Sequence, residues 1–134
     1  MSRLRSMQSP ALSLLRVVAA FAYSLHGYQK LFGAFGGHLG KGSLHDYWTL
    51  TGLGGVLETF GGALLMLGLF TRPVAFILSG EMAFAYFMRH AVRGFWPIQN
   101  GGELAALYCF LFLYLATAGG GSISLDRWLR KVRD

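Results

Sequence analysis

Charged residues are scarce in this chain. Asp, Glu, Lys and Arg make up only 13% of its 134 residues, whereas an average soluble domain contains about 25%. Hydrophobic residues make up 54% of the chain. This balance indicates a protein embedded in lipid, and the length is sufficient for one domain.

Cysteine is nearly absent as well, since Cys109 stands alone and no internal disulfide can form. The chain contains neither the Cys/His spacing of a zinc site nor a Glu-x-x-His pair, so we expect no bound metal. His26 and His90 lie in different apolar segments. Two such histidines arise easily by chance, so haem is not expected either.

Acidic residues are half as frequent as basic ones, six against twelve, which gives a net charge of +6. The basic residues lie mainly at the ends of apolar segments and in the tails. We interpret them as topology signals and contacts to lipid head groups. No basic face of a soluble module remains, so nucleic acid is not an expected partner.

Four apolar segments, at about 11–32, 53–70, 73–90 and 102–118, are each near the ~20 residues that a transmembrane helix needs. We therefore predict an all-α fold, a single four-helix transmembrane bundle over residues 1–134. The first segment follows Arg3 and Arg5 and resembles a signal peptide. Arg16 interrupts its apolar region, so we expect the segment to be retained.

The basic residues also predict orientation. With four spans both chain termini lie on one side of the membrane. That side carries eight basic residues: Arg3, Arg5, Arg16, Arg72, Arg127, Arg130, Lys131 and Arg133. The other side carries four: Lys30, Lys41, Arg89 and Arg93. Both termini are therefore predicted to be cytoplasmic.

Two short segments are predicted to lie at the membrane interface. Residues 43–46 resemble a capping box, and Leu44, Tyr47 and Trp48 share one helical face. In the C-terminal tail, an apolar stripe at helical spacing is flanked by basic residues, which favours a helix on the cytoplasmic leaflet. The stripe comprises Leu125, Trp128, Leu129 and Val132.

Glycines in the second segment predict a close helix contact. Gly54, Gly61 and Gly68 form one stripe with Glu58, and small residues let helices approach closely in lipid. Glu58 is therefore predicted to face a neighbouring helix. The first helix offers a matching face of residues three and four apart: Ala19, Tyr23, His26, Gly27 and Lys30.

Ionisable side chains gather in the outer half of the predicted bundle, with Glu81 near mid-bilayer beneath them. The predicted polar cluster comprises His26, Lys30, Glu58, Glu81, Arg89, His90 and Glu103. Such residues are costly inside a membrane and rarely lack a partner. In one interpretation the cluster only fixes helix register. In the other it binds a polar head group or relays protons.

Five pieces of the chain, in this order, resemble the DoxX family of small four-span bacterial membrane proteins. They are Leu25–Gly33, Gly55–Gly62, Leu67–Arg72, Gly101–Ala105 and Ser124–Arg127. The resemblance implies an inner-membrane protein with both termini inside. It also implies a redox association, since the family takes its name from a small subunit linked to a terminal quinol oxidase and to thiosulfate-to-quinone electron transfer.

The leading hypothesis is an inner-membrane accessory subunit of a redox or respiratory system, without catalytic activity of its own. It would bind a quinone head group, or a redox-protein partner, at the polar cluster. One alternative is a structural scaffold or assembly factor without a ligand. Another is a small proton-coupled transporter, which with four spans would require a homo-oligomer.

Overall fold

A computed structural model describes residues 2–36 and 48–133, and these residues form helices and loops without any strand. This confirms the all-α prediction. The first helix, α1, is Ser2–Phe32 and contains Pro10. It begins at Ser2, well before the predicted span at about 11–32. A helix can form from residues that are too polar to enter a membrane. A 3₁₀ turn, Ala34–Gly36, follows it.

The second helix, α2, runs from Leu50 to Leu67 and is built of three consecutive pieces: Leu50–Val56, a π-helical turn at Leu57–Gly61, and Gly62–Leu67. The Thr49 side chain caps its start by accepting a hydrogen bond from Gly52 N, 3.1 Å away. Gly68 ends the helix at φ 67°, in the left-handed conformation that favours glycine.

The remaining helices follow in chain order. Helix α3 comprises Thr71–Ala85 and a second π-helical turn, Tyr86–His90, which leads into a 3₁₀ turn at Ala91–Arg93. Helix α4 is Pro97–Asn100, α5 is Glu103–Ala118 and α6 is Leu125–Arg133. The predicted interfacial segment at 43–47 lies outside the described residues.

Among the described helices, α2 alone is long and apolar enough to cross a membrane by length and composition. Helix α5 is apolar but shorter. Helix α1 has the necessary length, but charged and polar side chains, including Arg16 and Lys30, interrupt its apolar pattern. The four-span arrangement therefore stays a prediction.

The chain divides into two compact units, residues 1–71 with 120–134 and residues 72–119. In the first unit, α1 packs against α2 through small residues. A Cβ atom built on Gly62 would lie 2.7 Å from the Ser24 Cβ atom, and one built on Gly55 would lie 3.0 Å from the Leu31 side chain. The two helices approach as closely as their glycines permit.

In the second unit, polar contacts join α3 to α5. The Ser79 hydroxyl donates to the carbonyl oxygen of Cys109 at 2.7 Å. The Arg72 guanidinium donates to the carbonyl oxygens of Ala116 and Thr117 near the end of α5. A cation in this position is also stabilised by the negative end of the α5 helix dipole.

Candidate functional site

One ion pair links α1 to α2 in the first unit. Lys30 Nζ lies 2.6 Å from Glu58 Oε1. The Glu58 side chain is only 2% exposed, whereas the Lys30 side chain is 33% exposed. The carboxylate is therefore inside the helix contact, and the ammonium group reaches it from the partly open side.

The π-helical turn of α2 positions Glu58. A π-helical turn contains one extra residue, so the side chains after it lie on a different side of the helix than regular α-helical spacing would give. Such turns are frequent at functional sites. Here both Glu58 and Thr59 are buried. Gly27 of α1 lies directly against Thr59 and Gly55, since a Cβ atom built there would be close to Thr59 Oγ1 and 2.8 Å from the Gly55 carbonyl oxygen.

Two buried oxygen atoms of this turn have no hydrogen-bond partner among the described residues. They are Glu58 Oε2 and Thr59 Oγ1. Buried polar atoms are nearly always hydrogen-bonded, and leaving one unpaired costs about 1–3 kcal/mol. The turn therefore has spare hydrogen-bonding capacity on consecutive residues, next to the Lys30 ammonium group.

His26 departs from the sequence prediction. The helical spacing predicts that it faces α2 together with Tyr23 and Gly27, which are both buried, but its own side chain is exposed. At three residues from Tyr23 and four from Lys30 it lies at the edge of the contact face. It remains close enough to interact electrostatically with Glu58.

The other four predicted site residues belong to the second unit. Glu81 is half-buried, and Arg89 is exposed at the end of α3. Glu103 is exposed as the first residue of α5, where the helix dipole favours a carboxylate. His90 is half-buried, with Nδ1 3.2 Å from the Asn100 carbonyl oxygen. That all seven residues form one cluster stays a prediction.

The second unit contains a polar centre that the sequence interpretation misses. The Asn100 side chain is 2% exposed. It donates to the Gly94 carbonyl oxygen at 2.7 Å and accepts from Gly102 N at 2.7 Å. The Tyr86 hydroxyl, 3.2 Å from Asn100 Nδ2, donates to the carbonyl oxygen of Phe95. This network fixes the segment between α3 and α5, which includes α4.

A second feature that the sequence interpretation misses is the burial of Arg16 in the first unit. Its place at the start of a predicted span indicates a topology signal, but it is only 1% exposed. Its guanidinium donates to the carbonyl oxygens of Gly120, of Met66 at 3.3 Å and of Ile123 at 2.9 Å. Arg16 therefore joins α1 to the end of α2 and to the loop before α6.

Asp126 completes this junction. Its Oδ1 accepts from Phe70 N and its Oδ2 from Thr71 N, both at 2.8 Å, and its own amide donates to the Gly68 carbonyl oxygen at 2.9 Å. Burial opposes ionisation of this carboxyl, but the hydrogen bonds from Thr71 and Phe70 outweigh it and hold the pKa of Asp126 below its ordinary value.

No metal centre is evident within residues 2–36 and 48–133, since no three His, Cys, Asp or Glu side chains gather so as to hold an ion. The charged groups of the described site are the Lys30 ammonium group and the Glu58 carboxylate. Lys30 is a hydrogen-bond donor, and Glu58 is a buried proton acceptor with one unmatched oxygen.

Comparison with known proteins places the chain among relatives of unassigned activity. An uncharacterized protein of Haemophilus influenzae is 47% identical over 131 residues, which cover 94% of this chain and 96% of the relative. A second uncharacterized protein of the same organism is 36% identical over 69 residues, which cover 52% of this chain and 46% of that protein. No solved structure matches with significance.

The family comparison is more informative. The family model named DoxX matches residues 11–91, a range that includes α1, α2 and the Lys30–Glu58 pair. Membership in this family indicates a small membrane protein. The chain therefore belongs to the DoxX family, as its sequence motifs predicted.

Proposed function

We propose that this protein is a multi-pass inner-membrane accessory subunit of a redox system, which binds a quinone head group at the Lys30–Glu58 pair. It holds the head group and has no catalytic activity of its own. Four spans and two cytoplasmic termini are part of the proposal, supported by the excess of basic residues in the tails and at Arg72.

The observation that carries the proposal is the unmatched oxygen of a buried carboxylate. Glu58 Oε1 is paired with Lys30, while Oε2 is buried without a partner among the described residues. A ligand that supplies a hydrogen-bond donor removes the cost of leaving Oε2 unpaired. Glu58 lies in the π-helical turn of α2, and Gly27 of α1, which has no side chain, lets this turn come close to α1.

A quinone head group suits this pair in both of its redox forms. The carbonyl oxygen of the oxidised form accepts a hydrogen bond from Lys30 Nζ, and a hydroxyl of the reduced form donates to Glu58 Oε2. An apolar ring and isoprenoid tail fit the lipid-facing surroundings. The exposed aromatic and aliphatic side chains near the pair in sequence include Phe32, Val56, Leu57 and Phe60.

The test is a titration of a short-chain quinol, the reduced form whose hydroxyl donates to Glu58 Oε2, into purified protein in lipid nanodiscs, monitored by isothermal titration calorimetry. Glu58→Gln keeps the shape of the side chain but removes its charge, so we expect binding to weaken about tenfold or more. Glu103→Gln is the matched control, because Glu103 is an exposed carboxylate in another helix. Equal binding, or equal absence of binding, in all three proteins would remove the quinone proposal.

The short ion pair also favours a second candidate function, a scaffold whose polar pair only holds α1 against α2. In that case Lys30→Met and Glu58→Gln lower stability together and non-additively, with a coupling energy of about 0.5–3 kcal/mol. Quinone affinity in the parent protein distinguishes the two functions, since a pure scaffold shows the coupling without any binding.

A further inference from the structure

Helix α6 presents an apolar stripe that no described residue of the first unit covers. Trp128 is 59% exposed, Leu129 41% and Val132 66%. Val132 follows Trp128 by four positions and Leu129 by three, so the three side chains share one face of the helix. An amphipathic helix with an uncovered apolar face is typical of segments that lie in a membrane interface.

The charges of α6 are almost entirely of one sign. Its exposed charged residues are Arg127, Arg130, Lys131 and Arg133. The acidic residue, Asp126, has both carboxylate oxygens engaged by backbone amides of Phe70 and Thr71. Lys131 and Arg133 flank the apolar stripe, where their long side chains can extend to head groups while the stripe is immersed.

The position of α6 in the fold favours a lipid surface over a soluble partner. The Asp126 amide donates to the carbonyl oxygen of Gly68, the residue directly after the apolar helix Leu50–Leu67. The start of α6 is thus hydrogen-bonded to the end of a helix long enough to cross a membrane. Ser124 Oγ, which accepts from Arg127 N at 3.3 Å, caps the same end of α6.

We infer that α6 is a binding surface for acidic phospholipids, held at the level of the bilayer head groups by its attachment to the end of α2. Trp128, Leu129 and Val132 enter the interface, and Lys131 and Arg133 bind lipid phosphates. The inference rests on the proposed membrane placement of α2 but does not depend on quinone binding, so the two can fail separately.

The test uses Trp128 as its own reporter. In a full-length Trp48→Phe, Trp96→Phe background, Trp128 fluorescence is measured in detergent and in nanodiscs of phosphatidylcholine with or without phosphatidylglycerol. We expect brominated lipid to quench Trp128, and acrylamide to quench it least when phosphatidylglycerol is present. An unchanged unfolding midpoint establishes that the background is folded.

Charge variants then separate the lipid contact from general effects of charge. One basic residue near an anionic surface contributes about fivefold to the binding constant, so Lys131→Gln with Arg133→Gln should lower the equilibrium constant for docking of α6 on acidic lipid about 25-fold. Arg5→Gln with Arg93→Gln removes equal charge from two exposed positions elsewhere and should leave Trp128 shielded.

Three outcomes would overturn the inference. Trp128 could be equally open to acrylamide in detergent and in both lipid mixtures, which would leave the stripe to a soluble partner. It could be shielded equally with and without phosphatidylglycerol, which would exclude recognition of acidic lipid. The two double variants could also behave alike.

Discussion

Arg16 is a charged residue that is almost completely buried, at 1% exposed. A buried guanidinium is costly unless its donors are satisfied, and here they meet three carbonyl oxygens from two separate segments, the end of α2 and the loop before α6. Its Nε atom has no partner among the described residues. The planar fork of arginine spreads its N–H donors over three nitrogen atoms, whereas the three donors of lysine lie on a single nitrogen.

We therefore expect Arg16→Lys to lower the free energy of unfolding, and Arg16→Met to lower it further. The methionine variant removes the hydrogen bonds from the guanidinium to the carbonyl oxygens of Gly120, Met66 and Ile123, and a hydrogen bond from a charged donor contributes about 1.5–3 kcal/mol. Arg5→Met is the control, since Arg5 is an exposed arginine of the same helix.

Unfolding in mixed detergent, followed by circular dichroism, measures this difference. Equal midpoints for the Arg16→Met and Arg5→Met variants would show that the Arg16 hydrogen bonds add nothing to stability.

At the scale of elements, the contact between α1 and α2 depends on glycine residues, which have no side chain to separate the two backbones. A Cβ atom on Gly27 would lie 2.6 Å from Thr59 N as well as close to its hydroxyl. Backbone atoms cannot rotate away as the end of a flexible side chain can. Separation of the two helices is the remaining way to accommodate even a methyl group at this position.

Gly27→Ala is accordingly expected to destabilise the first unit by about 1–3 kcal/mol, as overpacking does. Gly80→Ala is the matched control, because Gly80 also lies within a helix but a Cβ atom there meets nothing within 4 Å. The control should be neutral or slightly stabilising, since alanine is the better helix former.

Urea or SDS titration of both variants in the same detergent gives the comparison. If Gly27→Ala were as stable as Gly80→Ala, the close approach of α1 and α2 would not contribute to stability.

At the scale of the whole molecule, the first unit is assembled from distant parts of the sequence. Residues 120–134 belong with residues 1–71, and the Asp126 carboxylate supplies two of the hydrogen bonds that join them. The pKa of Asp126 is held below its ordinary value. Its ionised form therefore stabilises the folded chain above the pKa of the unfolded state.

This stabilisation should be lost as pH falls through the lowered pKa of folded Asp126, because the unfolded chain then binds the proton more readily. Between about pH 6 and about pH 3, the parent protein should lose more stability than Asp126→Asn, which has no carboxylate to protonate. Unfolding midpoints across this range measure the difference. Parallel curves for the two proteins would contradict it, and Glu103→Gln controls for removal of a carboxylate elsewhere.

Much of the first helix contact could be predicted from sequence, because helical spacing alone brings small residues and Glu58 to one side of α2. The structure brings Lys30 and Glu58 together within that contact. The π-helical turn was not predictable from spacing. Gly55 and Gly62, which lie beside the predicted stripe of Gly54 and Gly61, make close approaches to α1.

The junction around Arg16 could not be predicted in the same way. Its acceptors are backbone carbonyl oxygens, which every residue possesses, so no residue type marks them in the sequence. Gly68 belongs to the same junction, because a Cβ atom built there would lie 2.7 Å from the Arg16 guanidinium and 2.6 Å from the Ser124 side chain. The one available signal was an arginine interrupting an apolar run.

The separation between Arg16 and its acceptors has a consequence for biosynthesis. Gly120 lies 104 residues after Arg16, and Ile123 lies 107 residues after it. A nascent chain therefore holds this guanidinium without those two acceptors until residues 120–123 have been synthesised. Chains that end before residue 120 should therefore be less stable than the full chain, because the Arg16 guanidinium keeps only the Met66 carbonyl oxygen among its three acceptors.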